Sequence, residues 1–231
     1  MAIVASDGTQ VYVRIEVNAK AKRLILRLDE RRREAVTVAP SPRQVKAAVK
    51  FAQERVDWIA EALGRLPEVI PFEDGAMIGL RGEPVRLSIE GTGRLAVLEP
   101  GDPPILRVPG APETFGARVT RYLKKEAKGD IGEAVARYSE VLGVTASAIS
   151  LKDTRSRWGS CTADRKLSFS WRLVLAPPRV LEYVAAHECA HMLEMNHSPA
   201  FWAHVTHCIP DWKRDRAWLR THGAGLQSVG L

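Results

Sequence analysis

Two histidines four residues apart, His187 and His191, form an HExxH pattern that includes Glu188. On an α-helix, residues four apart differ by about 40° around the axis and about 6 Å along it, so both imidazoles project from one face. Such a pair can bind one zinc ion, and a glutamate beside the first ligand can act as general base on a water molecule. The pattern therefore predicts a catalytic zinc site with Glu188 as the catalytic base.

His197 is the predicted third ligand, although on a straight helix it would lie about 120° away from the shared face. The sequence predicts that the helix ends before His197. Asn196 tolerates the left-handed conformation that ends many helices, and Ser198 followed by Pro199 is typical of an N-cap and first helical residue. We therefore expect one helix to end near Met195, a second to begin at Ser198, and His197 to lie in the turn.

Other side chains are alternative ligands. Glu194 shares the ligand face but would sit about 4.5 Å past His191 along a straight helix, so we interpret it as an outer or surface group. His204 and His207 follow on the next predicted helix. A closed structural zinc site would need a fourth ligand, such as Cys161 or His204. The simplest alternative to a metal site is a pair of ordinary histidines on an amphipathic helix.

The first 109 residues are predicted to form a β-rich module. Short alternating segments indicate strands, and the apolar spacing over residues 43–66 indicates one long helix. The predicted strands are VYVRIEV, RLILRL, AVTVA, MIGLRG, VRLSIEG, RLAVLE and ILRVPG. Pro and Gly punctuate residues 100–112, so we place a domain boundary between residues 109 and 110.

Residues 110–231 are predicted to form the catalytic domain. Helical periodicity covers residues 114–142, with a possible break at Gly129 and a capping glycine at Gly143. AISLKD and KLSFSWRLVLA indicate strands, and a helix is expected from Pro177 through His191. The predicted fold class is α+β, with the HExxH helix packed on a small sheet.

Composition limits the classes of function. Three widely spaced cysteines without a CxxC pair do not suggest a disulfide framework, and a cytoplasmic location fits best. No apolar run is long enough for a membrane span, and the N-terminal residues lack an export signal. The net charge of +7 could favour weak association with nucleic acid or nucleotides, although no readout motif accompanies it.

Four segments resemble the YgjP-like metallopeptidases, relatives of the SprT-like and WLM zinc proteases. They are RSRWGSC (155–161), WRLVLAPP (171–178), YVAAHECAHMLEMNHSPAFW (183–202) and PDWKRDRAWLRTHG (210–223). The resemblance implies a zincin-like C-terminal domain that binds one Zn²⁺ ion through His187, His191 and His197, with Glu188 catalytic and a polypeptide as substrate. The chain departs from metzincins, because Glu194 stands where they have glycine and no methionine follows Met195.

Several neighbouring residues are candidates for supporting roles. Arg157 and Trp158 are possible substrate or rim residues, and Arg155 could likewise hold an oxyanion or a substrate carboxylate; core packing of Trp158 and solvated arginines are the alternatives. We interpret Cys189 as a small buried residue, and Phe201 and Trp202 as packing between the two helices. The arginine run 31–33 is expected to be a solvated link.

The predicted function is that of a zinc metallopeptidase, with the substrate extended along an edge strand formed by SFSWRLV. One alternative keeps the metal but hydrolyses nucleoside triphosphates, as a pyrophosphatase does. Another is a DNA-associated module that processes proteins on DNA.

Overall fold

The computed structural model describes residues 1–30, 32–91, 93–154 and 157–231, which contain eleven strands and six α-helices. The predicted α+β class is confirmed at this level. The chain divides into two compact units, Met1–Glu68 and Val69–Leu231. This division does not test independent folding, so the predicted domain boundary between residues 109 and 110 stays a prediction.

Unit 1 is a four-stranded sheet packed against two helices. Strands β1 (Ala2–Val4), β2 (Gln10–Val17), β3 (Ile25–Asp29) and β4 (Glu34–Ala39) lie in the order β1-β2-β4-β3, and the β2–β4 pair is parallel. The predicted alternation holds in β2, where Val11 and Val13 are each 1% exposed and Tyr12 between them is 57% exposed. Helices α1 (Val45–Gln53) and α2 (Val56–Gly64) contribute Ala52 and Ile59 to the same core.

Unit 2 contains two sheets. Strands β5 (Met77–Leu80), β6 (Glu83–Ser88), β7 (Val97–Glu99) and β8 (Ile105–Arg107) form one, in the order β5-β6-β8-β7. Strands β9 (Ala148–Lys152), β10 (Gly159–Cys161) and β11 (Lys166–Ser170) form the other, in the order β10-β11-β9. Strand β11 runs parallel to β9 and antiparallel to β10, so β10 is an edge strand.

Four helices complete unit 2: α3 (Pro112–Leu142), α4 (Pro178–Ala190), α5 (Pro199–Cys208) and α6 (Trp212–Ser228). Helix α3 buries side chains at helical spacing, including Phe115, Val119 and Leu123, and packs against α4. It continues through Gly129 without a break. It ends at Gly143, whose φ of 65° confirms the predicted capping glycine.

Three predictions about these elements need correction. The helix over 43–66 is divided into α1 and α2, because Arg55 leaves helical geometry with φ −123° and ψ 16°. The strand KLSFSWRLVLA ends at Ser170, and Trp171–Leu175 form a 3₁₀ helix that begins where the Ser170 side chain accepts a hydrogen bond from the Arg172 N–H. SFSWRLV is also not an edge strand, since β11 pairs on both sides.

None of the helices in the described ranges is both long enough and apolar enough to cross a lipid bilayer. The cytoplasmic location stays a prediction.

Candidate metal centre

Helix α4 places polar residues in apolar surroundings. Its side chains Val184, Ala185, Ala186 and Ala190 are each at most 4% exposed. In its last turn Glu188 is only 5% exposed, whereas His187 is partly accessible, and His191 forms the C-cap. The predicted spacing is therefore present at the end of a buried helix.

The three predicted ligands converge on one point. Metal-binding atoms of His187, His191 and His197 all lie within 4.8 Å of one another, and the Nε2 atoms of His187 and His197 are 3.2 Å apart. Three nitrogens at the usual zinc–histidine bond length of about 2.1 Å in tetrahedral geometry would be separated by about 3.4 Å. The donor set and its spacing fit a single zinc ion.

The chain reverses between α4 and α5 by a route that differs from the prediction. Helix α4 ends at Ala190, rather than near Met195, and the residues after it form tighter turns, with the Leu193 N–H bonded to the Ala190 carbonyl. Asn196 does not adopt the predicted left-handed conformation. Its side-chain oxygen instead accepts a hydrogen bond from the Ser198 N–H at 3.1 Å, an Asx turn that reverses the chain beside His197.

Ser198 is the N-cap of α5, as predicted. Its hydroxyl oxygen accepts a hydrogen bond from the Phe201 N–H at 3.2 Å, and Pro199 occupies the first turn. This cap secures the chain immediately after His197. The ring of His197 is thereby held beside the two rings at the end of α4.

A backbone group orients the second histidine. The Nδ1 atom of His191 lies 3.0 Å from the carbonyl oxygen of Glu194. A carbonyl oxygen can only accept, so Nδ1 carries the proton and Nε2 keeps a lone pair for a metal. Glu194 therefore contributes its backbone to the site, a role that side-chain reasoning could not identify.

Burial favours neutral imidazoles. It lowers the pKa of His187 to about 3, with smaller effects from His191, His197 and Arg216, and it also lowers the pKa of His191. A neutral imidazole has the lone pair that metal binding requires. The Nδ1 atom of His187 is buried and has no hydrogen-bond partner among the described residues.

Glu188 lies against strand β10. A Cβ atom placed on Gly159 would be 2.5 Å from Oε1 of Glu188 and 2.6 Å from its Cγ. Only glycine therefore fits at residue 159 with the glutamate in this position. Burial raises the pKa of Glu188 to about 8, and the charge of Arg157 acts in the opposite direction. The carboxyl can thus exchange a proton near neutral pH.

Phe201 is the packing residue shared by all three imidazoles. It is fully buried, and its ring centroid lies 4.8, 4.4 and 4.7 Å from those of His187, His191 and His197. Trp202 also packs against the ring of His197, with 5.7 Å between the two ring centroids. The sequence indicated helix packing for both residues, but it did not indicate their contact with the candidate ligands.

The two possible rim residues occupy different surroundings. Arg157 is exposed, and its charge reaches Glu188. Trp158 is partly buried and packs on α6, where a Cβ on Gly223 would be 3.1 Å from its Cζ2 atom. Residues 155 and 156 lie outside the described residues, as does Arg31 of the arginine run, so the predictions for Arg155 and for that run are untested.

The alternative ligands do not join the three histidines. Within the part of the chain that the structure describes, the metal-binding group contains neither Cys161 nor Glu194, and the same holds for His204 and His207. A closed site with a fourth protein ligand therefore has no support in this geometry. Three histidine ligands would leave the fourth position of a tetrahedral zinc ion for a further ligand such as water.

Comparisons with known proteins give two findings. A protein-family model described as "YgjP-like, metallopeptidase domain" matches residues 22–222. The crystal structure of the metallopeptidase zymogen of Pyrococcus abyssi abylysin is 15% identical, with a TM-score of 0.37, over 39% of this chain and 92% of that one. A likeness this low carries no argument about activity. No curated protein matches the sequence.

Proposed function

The chain belongs to the YgjP-like metallopeptidase family, and on that premise we propose that it is a zinc-dependent peptidase with a zincin-like catalytic domain at residues 110–231. His187, His191 and His197 would hold one zinc ion, and Glu188 would be the catalytic base. The convergence of the three imidazoles beside a buried carboxyl group is the observation that carries the proposal. Three protein ligands with one open position are typical of catalytic zinc sites.

Bound zinc would supply the Lewis acidity that lowers the pKa of water from about 15.7 to about 7, and its charge would favour ionised Glu188. Glu188 accepts the proton of the attacking water and delivers it to the nitrogen of the leaving amine. The low exposure of this side chain keeps bulk water away from the proton in transit.

We assign substrate alignment to the open edge of β10. The Ser170 N–H donates to the Trp158 carbonyl at 2.9 Å, so the backbone groups of Trp158 face β11. Backbone groups alternate along a strand, and those of Gly159 and Cys161 therefore face the opposite side, where no other described strand pairs. An extended peptide can add there through main-chain hydrogen bonds, next to Glu188.

The test is hydrolysis of a mixed peptide library and of nucleoside triphosphates by zinc-loaded protein, with and without a chelator. We expect peptide cleavage that the chelator abolishes and zinc restores. Glu188→Gln should retain zinc and lose at least about a hundredfold in kcat, the usual contribution of a general base. Glu140→Gln, on the exposed surface of α3, is the matched control and should behave as wild type.

Full peptidase activity in zinc-bound Glu188→Gln would show that the base is misassigned. Turnover of nucleotides alone would overturn the peptidase proposal in favour of the pyrophosphatase alternative. Neither that alternative nor the DNA-associated one gains support from a contact among the described residues.

A further inference from the structure

A cavity of about 220 Å³ lies on the face of the three-stranded sheet that points away from α4. Its lining residues are Lys152, Thr154, Arg157, Gly159, Ser160 and Ser168. The direction follows from strand geometry: a side chain at residue 159 would point at Glu188, so the next side chain, Ser160, points to the other face. Ser168 is the register partner of Ser160 and shares that face. The volume is many times what one water molecule needs.

The cavity presents the positive charges of Lys152 and Arg157, and the charge of Arg157 also reaches Glu188 on the other side of β10. Among the described residues, no acidic side chain forms an ion pair with Lys152 or Arg157. Two nearby acids are engaged elsewhere: Asp153 accepts a hydrogen bond from Arg172 at 3.0 Å, and Asp164 pairs with Lys166. A guanidinium and an ammonium group together favour a carboxylate, which the guanidinium can bind through two hydrogen bonds.

Hydroxyl groups complete the lining. The Thr154 hydroxyl donates to the backbone carbonyl of Arg157 at 2.7 Å and so holds the backbone of the residue that carries the guanidinium. The hydroxyls of Ser150 and Ser168 are 3.0 Å apart, whereas the hydroxyl of Ser160, which also lines the cavity, has no hydrogen-bond partner among the described residues. These groups add hydrogen-bond donors beside the two cations.

The cavity is adjacent to the proposed path of the substrate. Gly159 contacts Glu188 from one face of β10 and lines the cavity from the other. Successive side chains of an extended peptide point to opposite faces. A peptide paired with the open edge of β10 therefore directs every second side chain to the face that holds the cavity.

We propose that this cavity is a specificity subsite for a carboxylate of the substrate, either an aspartate or glutamate side chain near the scissile bond or the C-terminal carboxylate of a short peptide. The inference rests on the proposed function, since it assumes that the substrate is a peptide aligned along β10. Lys152 and Arg157 are the specificity-determining residues.

The experiment compares kcat/KM for peptide sets that carry Glu, Gln or Lys at each position around the cleavage site, with amidated and with free C-termini. We expect roughly tenfold preference for Glu over Gln at one position, the scale of a charge-assisted hydrogen bond. Preference that persists in amidated peptides identifies the side chain as the source, and preference that requires the free C-terminus identifies the terminal carboxylate.

Variants of the lining test the assignment. Arg157→Ala should remove most of the preference, Arg157→Lys should retain part of it, and Lys152→Glu with Arg157→Glu should favour Lys at the same position. Lys125→Glu, exposed on α3, controls for net charge and should leave the preference unchanged. Cleavage without acid preference, or a preference that these lining variants do not alter, overturns the subsite and leaves the peptidase intact.

A binding measurement separates the two proposals. Fluorescence anisotropy with zinc-loaded Glu188→Gln should show roughly tenfold tighter binding of the Glu peptide than of the Gln peptide, lost in the additional Arg157→Ala variant. If wild-type protein cleaves no peptide, the proposed function fails and anisotropy alone decides the subsite. Equal affinity for both peptides overturns the subsite.

Discussion

The contact between Glu188 and Gly159 shows how one residue type limits the geometry of the candidate catalytic group. The HExxH spacing predicted the glutamate, but nothing in the sequence indicated that a glycine 29 positions earlier would lie against it, since that approach depends on how β10 packs on α4. His187 and His191 could be predicted because four-residue spacing is a local property of a helix. The contact with Gly159 is not local.

Gly159→Ala should therefore disable the candidate base without emptying the metal site. The added Cβ would meet Glu188 atoms at 2.5 to 2.8 Å, and the buried side chain has little room to move away. A displacement of about 1 Å is expected to reduce peptide hydrolysis about a hundredfold. Zinc content, measured by elemental analysis, should stay at the wild-type level.

Gly129→Ala is the matched control, because a Cβ there meets no atom within 4 Å. Because residue 129 lies in the middle of α3, the Gly129→Ala substitution should increase the free energy of unfolding by about 0.5–1 kcal/mol. It should leave activity unchanged. Wild-type activity in Gly159→Ala would contradict the position assigned to Glu188.

Cys189 should be chemically inert in the folded protein. Burial raises the pKa of its thiol to about 12, and the neighbouring Ser139 hydroxyl only partly offsets this effect. Because the thiolate is the reactive form, alkylation of Cys189 at pH 8 should be about a thousandfold slower in the native protein than in the unfolded chain. Peptide mapping by mass spectrometry measures the rate, and rapid labelling in the native state would contradict the burial assigned to this residue.

The turn between α4 and α5 shows what periodicity can and cannot predict about an element. Ser198 and Pro199 correctly marked the beginning of α5. The end of α4 was placed about five residues too late, because the Asx turn of Asn196 and the tight turns before it replaced the expected left-handed residue. Turn chemistry of this kind depends on short-range hydrogen bonds that compete closely with one more helical turn.

Ser198→Ala should weaken both helix α5 and the metal site. Loss of the hydrogen bond from the Phe201 N–H is expected to lower the free energy of unfolding by about 1 kcal/mol in urea titrations. The affinity for zinc, measured by chelator competition, should fall because His197 immediately precedes this cap. Ser6→Ala, at an exposed residue of unit 1, should change neither quantity. An unchanged zinc affinity in Ser198→Ala would contradict the role assigned to the Ser198 cap in positioning His197.

The three-stranded sheet shows the limit of strand prediction. Alternation located β9 and β11, but strand order depends on pairing between distant segments. The predicted edge role of SFSWRLV was therefore wrong, while the short strand β10, which was not among the predicted strands, is at the edge. Three residues are too few for a periodicity signal.

At the scale of the whole molecule, unit 2 is held together by polar contacts as well as by its core. The guanidinium of Arg172 is 4% exposed and donates hydrogen bonds to the carboxylate of Asp153, at 3.0 Å, and to the backbone carbonyls of Leu226 and Val229. It thus connects the segment after β11 to the end of α6. A buried cation is stable only when its donors are satisfied in this way.

Arg172→Met should destabilise the protein, since it leaves two carbonyl groups at the end of α6 without a donor. We expect a loss of about 2–4 kcal/mol in the free energy of unfolding, measured by urea denaturation. Arg214→Met, at an exposed residue of α6, should change it by less than about 0.5 kcal/mol. Equal stability of the two variants would contradict the connecting role of Arg172.

The central claim is that His187, His191 and His197 together hold one zinc ion, and the most direct test is the zinc content of the purified protein beside that of His197→Ala. We predict about one zinc ion per wild-type chain, and a content well below one in the variant after the same dialysis against a weak chelator. A wild-type chain that binds no zinc, or a His197→Ala variant that retains it as tightly as wild type, would contradict the claim.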